Sequence, residues 1–470
     1  MESLFLYNCF FVIYLITRSI YPLSDDWYYL TAPNPNFRLD DLLPNATFWR
    51  PLDALFGAFV GNFPALFPNL NRIFVISAHI INSMLLNGIA KEIGVKKEWR
   101  NFAICFFLFS SSSWAVTVSP DALNQAYSIL FGMLALYVYL KKGGYSFLSL
   151  CFLSLLAKES GISCFFVIPL FNALTNAKTF KDFVNNKKLL KQCIKQVVFS
   201  FLVIVLYFII RFALYGGIVL GANSGNYKIS FLSLSTLKNI LLLFASASTG
   251  IDTIALMSTN KSLLLVAITS IFSIVFIMMW IFGVISLFKS RKQVFPLVCL
   301  ILCAFGLSLP LTLLGRVGEM HAYPILFFMS IIYAFVMGHA NIDIKKMLCP
   351  IICLFIAFGI SSVHKITTIY EYSDKTQNLT QSLKNVYDDP DGSNLFIVIN
   401  NREGYSVFEQ SAATGTEYGL SMRPYFNWKN LIHTNYMAKS EEDAETYIKR
   451  NQGLYNHVFV IKDETVKKIK

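Results

Sequence analysis

Two adjacent carboxylates, Asp25 and Asp26, follow the first apolar segment, and Asp40, Asp41 and the run Phe48-Trp49-Arg50-Pro51-Leu52 complete the same stretch. An adjacent carboxylate pair beside a membrane span is hard to explain as packing. Other polar residues recur where apolar segments end: Arg72 and His79, Asp121 after Pro120, Lys158-Glu159, and the trio Arg316, Glu319 and His321. Asp53, Asp252, Lys228, Lys238 and Lys261 fall in the same set of loops. Carboxylates and fixed cations sharing one cavity suit one class of reaction. A carboxylate takes the proton from an acceptor hydroxyl as that hydroxyl attacks. Cations stabilise the negative charge that grows on a departing phosphate. A phosphate leaves without a proton, so a single base is enough.

Each candidate has a plainer reading beside the chemical one. Adjacent side chains point in different directions, so one of Asp25 and Asp26 can face a cavity while the other orients a partner. Ser24-Asp25-Asp26 also fits a cap for a helix starting at Trp27. Arg50 suits anchoring at head-group level, with Pro51 opening a helix over 52–60. His79 lies inside a span, where a hydrogen-bonded core histidine competes with a site histidine. Asp121 reads equally as a site acid or as a cap for the span that follows. Lys158-Glu159 is either a functional pair or one that neutralises itself. Arg316 reads as an anion ligand or as an interface anchor.

The elements that must position these residues are helices in a membrane. The chain is 55% hydrophobic and only 14% charged, with a mean hydropathy of +0.53, against about 25% charged for soluble domains. Residues 1–363 carry a net charge of +13 and residues 364–470 a net of −1. The excess therefore belongs to membrane topology, and a nucleic-acid partner is not expected. All nine cysteines precede residue 354 and none forms a CxxC, which gives little support to a metal or disulfide framework.

Apolar segments run over 4–16, 67–90, 101–118, 122–140, 145–157, 161–173, 197–215, 262–288, 293–314, 323–340 and 347–363, about eleven spans if each one crosses. Basic residues gather after every second span, at 91–100, 141–142, 178–195, 289–292 and 345–346. The positive-inside rule then places the N-terminus inside, and the loops 18–66 and 217–261 and the tail outside. Only about thirty apolar residues separate Lys142 from Lys178, while two full crossings need roughly forty. A hairpin of two short helices with Lys158-Glu159 at its tip meets both demands. Residues 237–256 are apolar, yet a crossing there breaks the alternation, so an interfacial or re-entrant element is expected. After His364 the character changes. Residues 395–399 and 458–461 read as short buried strands, and Ser440 as the cap of a helix. The expected fold is an all-α polytopic membrane domain over 1–363 with a small α/β domain over 364–470.

The ordered set Asp25-Asp26-Trp27, Phe48-Trp49-Arg50-Pro51-Leu52, Arg72 with His79, Pro120-Asp121 and Leu155-Leu156-Ala157-Lys158-Glu159 resembles the GT-C class of integral-membrane glycosyltransferases. It is most similar to the protein O-mannosyltransferase-like branch, including the tetratricopeptide-bearing enzymes and their bacterial relatives, over roughly residues 1–325. The resemblance implies a sugar donor on a polyprenyl phosphate and an inverting transfer to a lipid, glycan or protein hydroxyl. It implies Asp25 as the base with Asp26 its neighbour, and Asp121 as the second-loop acid. Arg50, Lys158 and Arg316 become candidates for the donor phosphate, with Glu159, His321, Arg72 and His79 completing the substrate-binding set. It leaves the cofactor open between none and a divalent cation, and points to a bacterial cytoplasmic membrane. Asp-Asp stands where the protein mannosyltransferases have Asp-Glu, and tetratricopeptide repeats are lacking, so the acceptor and the sugar stay open. A transporter or flippase of lipid-linked glycans, an outer-face glycan polymerase and a non-catalytic scaffold that binds polyprenyl phosphate are the competing readings.

Overall fold

In an apolar solvent each backbone N–H and C=O must be satisfied within its own segment, so the apolar runs of this chain fold as helices. The computed structural model describes residues 2–23, 26, 42–43, 49–215, 233–252, 263–290, 293–314, 317–340, 342–388, 392–399, 434–451, 453–462 and 464–470. The first helices are α1 (Glu2–Thr17), α2 (Pro51–Gly61), α3 (Asn69–Glu92), α4 (Lys97–Phe109), α5 (Ser111–Val118) and α6 (Leu123–Lys142). Next come α7 (Phe147–Ala157), α8 (Cys164–Asn176), α9 (Phe180–Asn185), α10 (Lys187–Tyr215) and α11 (Leu234–Thr249). The chain continues with α12 (Leu263–Ser290), α13 (Val294–Thr312), α14 (Tyr323–His339) and α15 (Leu348–Val386). Strands β1 (Asn394–Ile399) and β2 (Thr434–Ala438), helix α16 (Glu441–Arg450), and strands β3 (His457–Lys462) and β4 (Thr465–Lys468) complete it.

Among the described residues, seven helices are long and apolar enough to cross a membrane, or eight if α4 and α5 count as one bent span. Helices α1, α7 and α8 are 16, 11 and 13 residues long, short of the roughly 20 residues that a crossing takes.

One end of the bundle is basic. There Lys141 pairs with Glu92 at 2.5 Å, Arg100 donates to Asn87 and the Trp99 indole donates to the Ile342 carbonyl. The opposite end is recessed. Asn82, well down α3, donates to the carbonyl of Ala126 in the first turn of α6 and to the hydroxyl of Tyr323, the first residue of α14. At 1.5 Å per residue, α3 therefore stands about 15 Å taller than α6 at this end.

Helices α4 and α5 meet at 55° across Ser110. The backbone groups freed by that break are taken up by hydroxyls and by a second helix end. Ser111 N–H and Oγ–H both donate to the Gly250 carbonyl (2.8 and 3.1 Å), and Ser112 Oγ–H bonds to Ser246. Gly250 ends α11 at φ +67°, with the Phe358 ring where a Cβ would sit. Helix α11, Leu234–Thr249, overlaps the apolar stretch expected between 237 and 256. It packs beside α14, where the Tyr333 hydroxyl donates to the Ser248 carbonyl.

The composition change at His364 does not end a helix. Helix α15 runs through that position to Val386 because its polar half exchanges lipid for protein: Leu379, Leu383 and Tyr387 are buried, and Tyr387 packs edge-on against Phe396 and Phe459 of the sheet. The sheet has the order β2-β1-β3-β4, parallel except for the β3–β4 pair. Ser440 accepts the Asp443 N–H and caps α16, as its position before three acids predicts.

The short hairpin of α7 and α8 is closed by a 3-10 turn, Glu159–Ser163. Gly161 makes that turn possible, since a Cβ there would lie 2.5 Å from the Ser154 backbone carbonyl. Overpacking against backbone is not relieved by a rotamer change, so Gly161→Ala should cost about 1–3 kcal/mol. A clear drop in the apparent melting temperature of the detergent-purified protein is expected. A variant that melts with the wild type would mean that the turn is not this tight.

Candidate functional site

Three charged clusters lie at the recessed end. In the first, the α7–α8 tip meets the segment that leads into α2. Glu159 accepts the Arg50 Nε–H at 2.8 Å with one oxygen and the Trp49 N–H at 3.3 Å with the other. Lys158 is extended (φ −156°, ψ 140°), so the chain turns between it and Glu159. The Trp49 ring stacks on Tyr207 of α10 (4.9 Å between centroids), and Arg211, one turn further along, stands close to the same phenol. His321, from the 3-10 turn before α14, accepts the Gly318 N–H on Nδ1 and lies within reach of the charges of Lys158 and Arg50. Arg50 and Glu159 keep 19% and 29% of their side-chain surface. The cluster is cationic, and a ligand entering the recess can touch it.

The second cluster is built on Asp26, which is 3% exposed. One of its oxygens accepts the Leu23 N–H at 2.8 Å and the other the Ser119 hydroxyl at 2.7 Å. Arg72, fully buried, lies close enough to Asp26 for their charges to act on each other, and donates from Nε to the Val118 carbonyl at 3.4 Å. Asp26 therefore pins the chain after α1 onto the end of α5, with Arg72 bracing it from α3. Next to it, Asn124 at the start of α6 donates to Asp53 of α2 at 3.3 Å.

The third cluster is a buried triad. Lys365 of α15 forms ion pairs with Asp252, which follows α11, and with Glu319, in the turn that bears His321. All three side chains are at most 6% exposed. The Asp252 N–H donates to Ser111 Oγ at 2.8 Å, which ties the triad to the α4–α5 break. Sequence reasoning did not single out Lys365, because the composition boundary at His364 assigned it to the tail. Arg211 was overlooked inside the apolar run 197–215, although a lone arginine in such a run is itself a signal.

The structure thus brings Arg50, Lys158, Glu159 and His321 together, and sets Asp26 with Arg72. Glu159 pairs with Arg50, a partner far away in sequence. His79 belongs elsewhere: its Nδ1 takes the Tyr323 hydroxyl at 2.8 Å and its ring packs on Phe107, deep between α3, α4 and α14. That is the hydrogen-bonded core histidine. Asp25 and Arg316 lie outside the described residues, and of Asp121 only the backbone, in the turn Pro120–Ala122, is described. Among the described residues no group of three His, Cys, Asp or Glu side chains is placed to hold a metal ion. No protein family matches the chain, and no curated protein or solved structure is significantly similar to it.

Removing one partner from a buried ion pair leaves charge without compensation and costs about 3–5 kcal/mol. Lys365→Met should therefore lower thermal stability strongly, and adding Asp252→Asn and Glu319→Gln should recover part of the loss. Wild-type melting in Lys365→Met would show that the triad carries no such weight.

Proposed function

We propose that this protein is a membrane glycosyltransferase that moves a sugar from a polyprenyl-phosphate donor to an acceptor hydroxyl. The observation that carries the proposal is the partly exposed pair of cations, Arg50 and Lys158, at Glu159 with the His321 imidazole beside them, at the recessed end of a helical membrane bundle. A lipid-borne phosphate can reach such a site from the side while its chain stays in the bilayer.

In this reading the acceptor hydroxyl oxygen attacks the anomeric carbon as Asp25 takes its proton. The bond from that carbon to the phosphate oxygen breaks, its electron pair leaves with the phosphate, and the configuration inverts. Arg50 and Lys158 stabilise the released phosphate, joined by Arg316 from the turn before His321. Asp26 and Arg72 position the loop that carries Asp25. Asp121 serves as the second-loop acid next to Ser119. The recessed end then faces away from the cytoplasm. The lysine-rich end faces inward as the positive-inside rule requires, with all eleven apolar segments taken as crossings or partial crossings. A transporter of lipid-linked glycan is favoured by one feature only, the break between α4 and α5, since such breaks mark substrate sites in transporters.

General-base removal typically costs 10²- to 10⁴-fold. Asp25→Asn should therefore reduce sugar transfer at least about 100-fold in membranes supplied with the polyprenyl-linked donor, with donor binding retained. Arg50→Ala should weaken donor binding as well. Wild-type transfer by Asp25→Asn would remove that residue as the base.

A further inference from the structure

At the opposite, lysine-rich half of the bundle lies a second site that the proposed reaction does not use. Helices α8, α10 and α13 diverge there and leave an apolar groove of about 780 Å³, within the range that encloses a small ligand. Its walls include Leu170 and Ala173 of α8, Val197 of α10, and Val298 and Leu302 of α13. Val197, Val298 and Leu302 are 40%, 42% and 47% exposed, so the groove opens sideways toward lipid. The six-residue helix α9 roofs it. Phe180 and Phe183 from α9 pack on Phe295 of α13, with ring centroids 6.2 and 5.8 Å apart. Phe180 and Val184 remain exposed on that short helix, as they do on elements that lie in a membrane interface.

The rim is charged. Lys178 is the one charged residue among those that line the groove. Lys181, Lys187, Lys188, Lys191 and Lys195 follow within the next turns. The single acid in this stretch, Asp182, is engaged in a reciprocal cap with Thr179, both bonds 3.1 Å long. An apolar slot open to lipid, closed by aromatic rings and ending at a lysine cluster, complements a molecule with a long chain and an anionic head.

We infer that the groove binds one anionic phospholipid, its acyl chain between α8, α10 and α13 and its phosphate against Lys178. The bound chain lies along α8, whose Phe166, Pro169, Leu170 and Ala173 form one wall of the groove. The Lys178 end of the groove stands at the far end of α8 from Glu159, and none of the residues that line it serves the proposed transfer reaction.

The test uses the full-length purified protein and a phosphatidylglycerol that carries a photoreactive group in its acyl chain, with phosphatidylcholine of the same chain as the control. The wild type should crosslink within α8, α10 or α13 and favour phosphatidylglycerol about fivefold, the discrimination expected from one lysine near a surface. Lys178→Ala should bring the two lipids close to equal labelling. Val298→Trp, on the lipid-facing wall, should abolish labelling with both while Lys178 remains. Equal labelling of the wild type by the two lipids overturns the inference, as does crosslinking confined to other helices. More effective displacement of the probe by polyprenyl phosphate than by unlabelled phosphatidylglycerol also overturns it.

Discussion

Charge inside a low-dielectric layer has to be paired, and that constraint organises the recessed end. Lys365 with Asp252 and Glu319 joins α15, the end of α11 and the turn before α14 at a depth where water does not compensate ions. Lys365 lies 17 residues beyond the start of α15, about 26 Å along its axis, close to a membrane thickness from the basic end. Without the triad the His321 turn and the Asp252 segment lose their ion pairs to α15, and packing such as that of Gly250 on Phe358 is left to hold them. The Asp26–Arg72 cluster obeys the same rule equally buried, and only the Arg50–Glu159 pair keeps part of its surface.

The recess follows from helix length. Helices α7 and α8 are too short to fill the layer, and α6 and α14 begin well below the top of α3. Of the polar turns that connect them, those at 158–163 and 317–322 come near enough for the charges of Lys158 and Arg50 to act on His321. Two glycines allow close approaches at this end: Gly161 against Ser154 in the α7–α8 turn, and Gly250, at the end of α11, against Ser110 and Phe358. A single long helix, α15, passes from the basic end beside the triad to the β-sheet, so the membrane part and the small sheet share one rigid element.

Much of this was legible in the chain because apolar length and lysine spacing are local signals. The α7–α8 hairpin followed from too few residues between two basic clusters, and β1 and β3 followed from β-branched and aromatic runs. Strands β2 and β4, with sequences Thr-Asn-Tyr-Met-Ala and Thr-Val-Lys-Lys, are polar and gain their form only from pairing with neighbours. The break at Ser110 was read through as one segment, although four consecutive serines marked it. Pairings such as Arg50 with Glu159 and Lys365 with Asp252 span more than a hundred residues, and no local pattern encodes them. Asp26 read equally as a chemical group or as a cap. Its two hydrogen bonds, to Leu23 and Ser119, fit the reading in which one acid of the pair orients a partner.

The central claim is that the recess cleaves a sugar from a lipid phosphate, and it is tested most directly with the wild-type protein alone in proteoliposomes. A polyprenyl-phosphate sugar labelled in the sugar is supplied together with an extract of the native envelope as acceptor. The account predicts that label leaves the lipid, that polyprenyl phosphate appears in equal amount, and that the product carries the inverted anomeric configuration. Label that stays on the intact polyprenyl phosphate, or that crosses the bilayer still attached to it, would contradict the account.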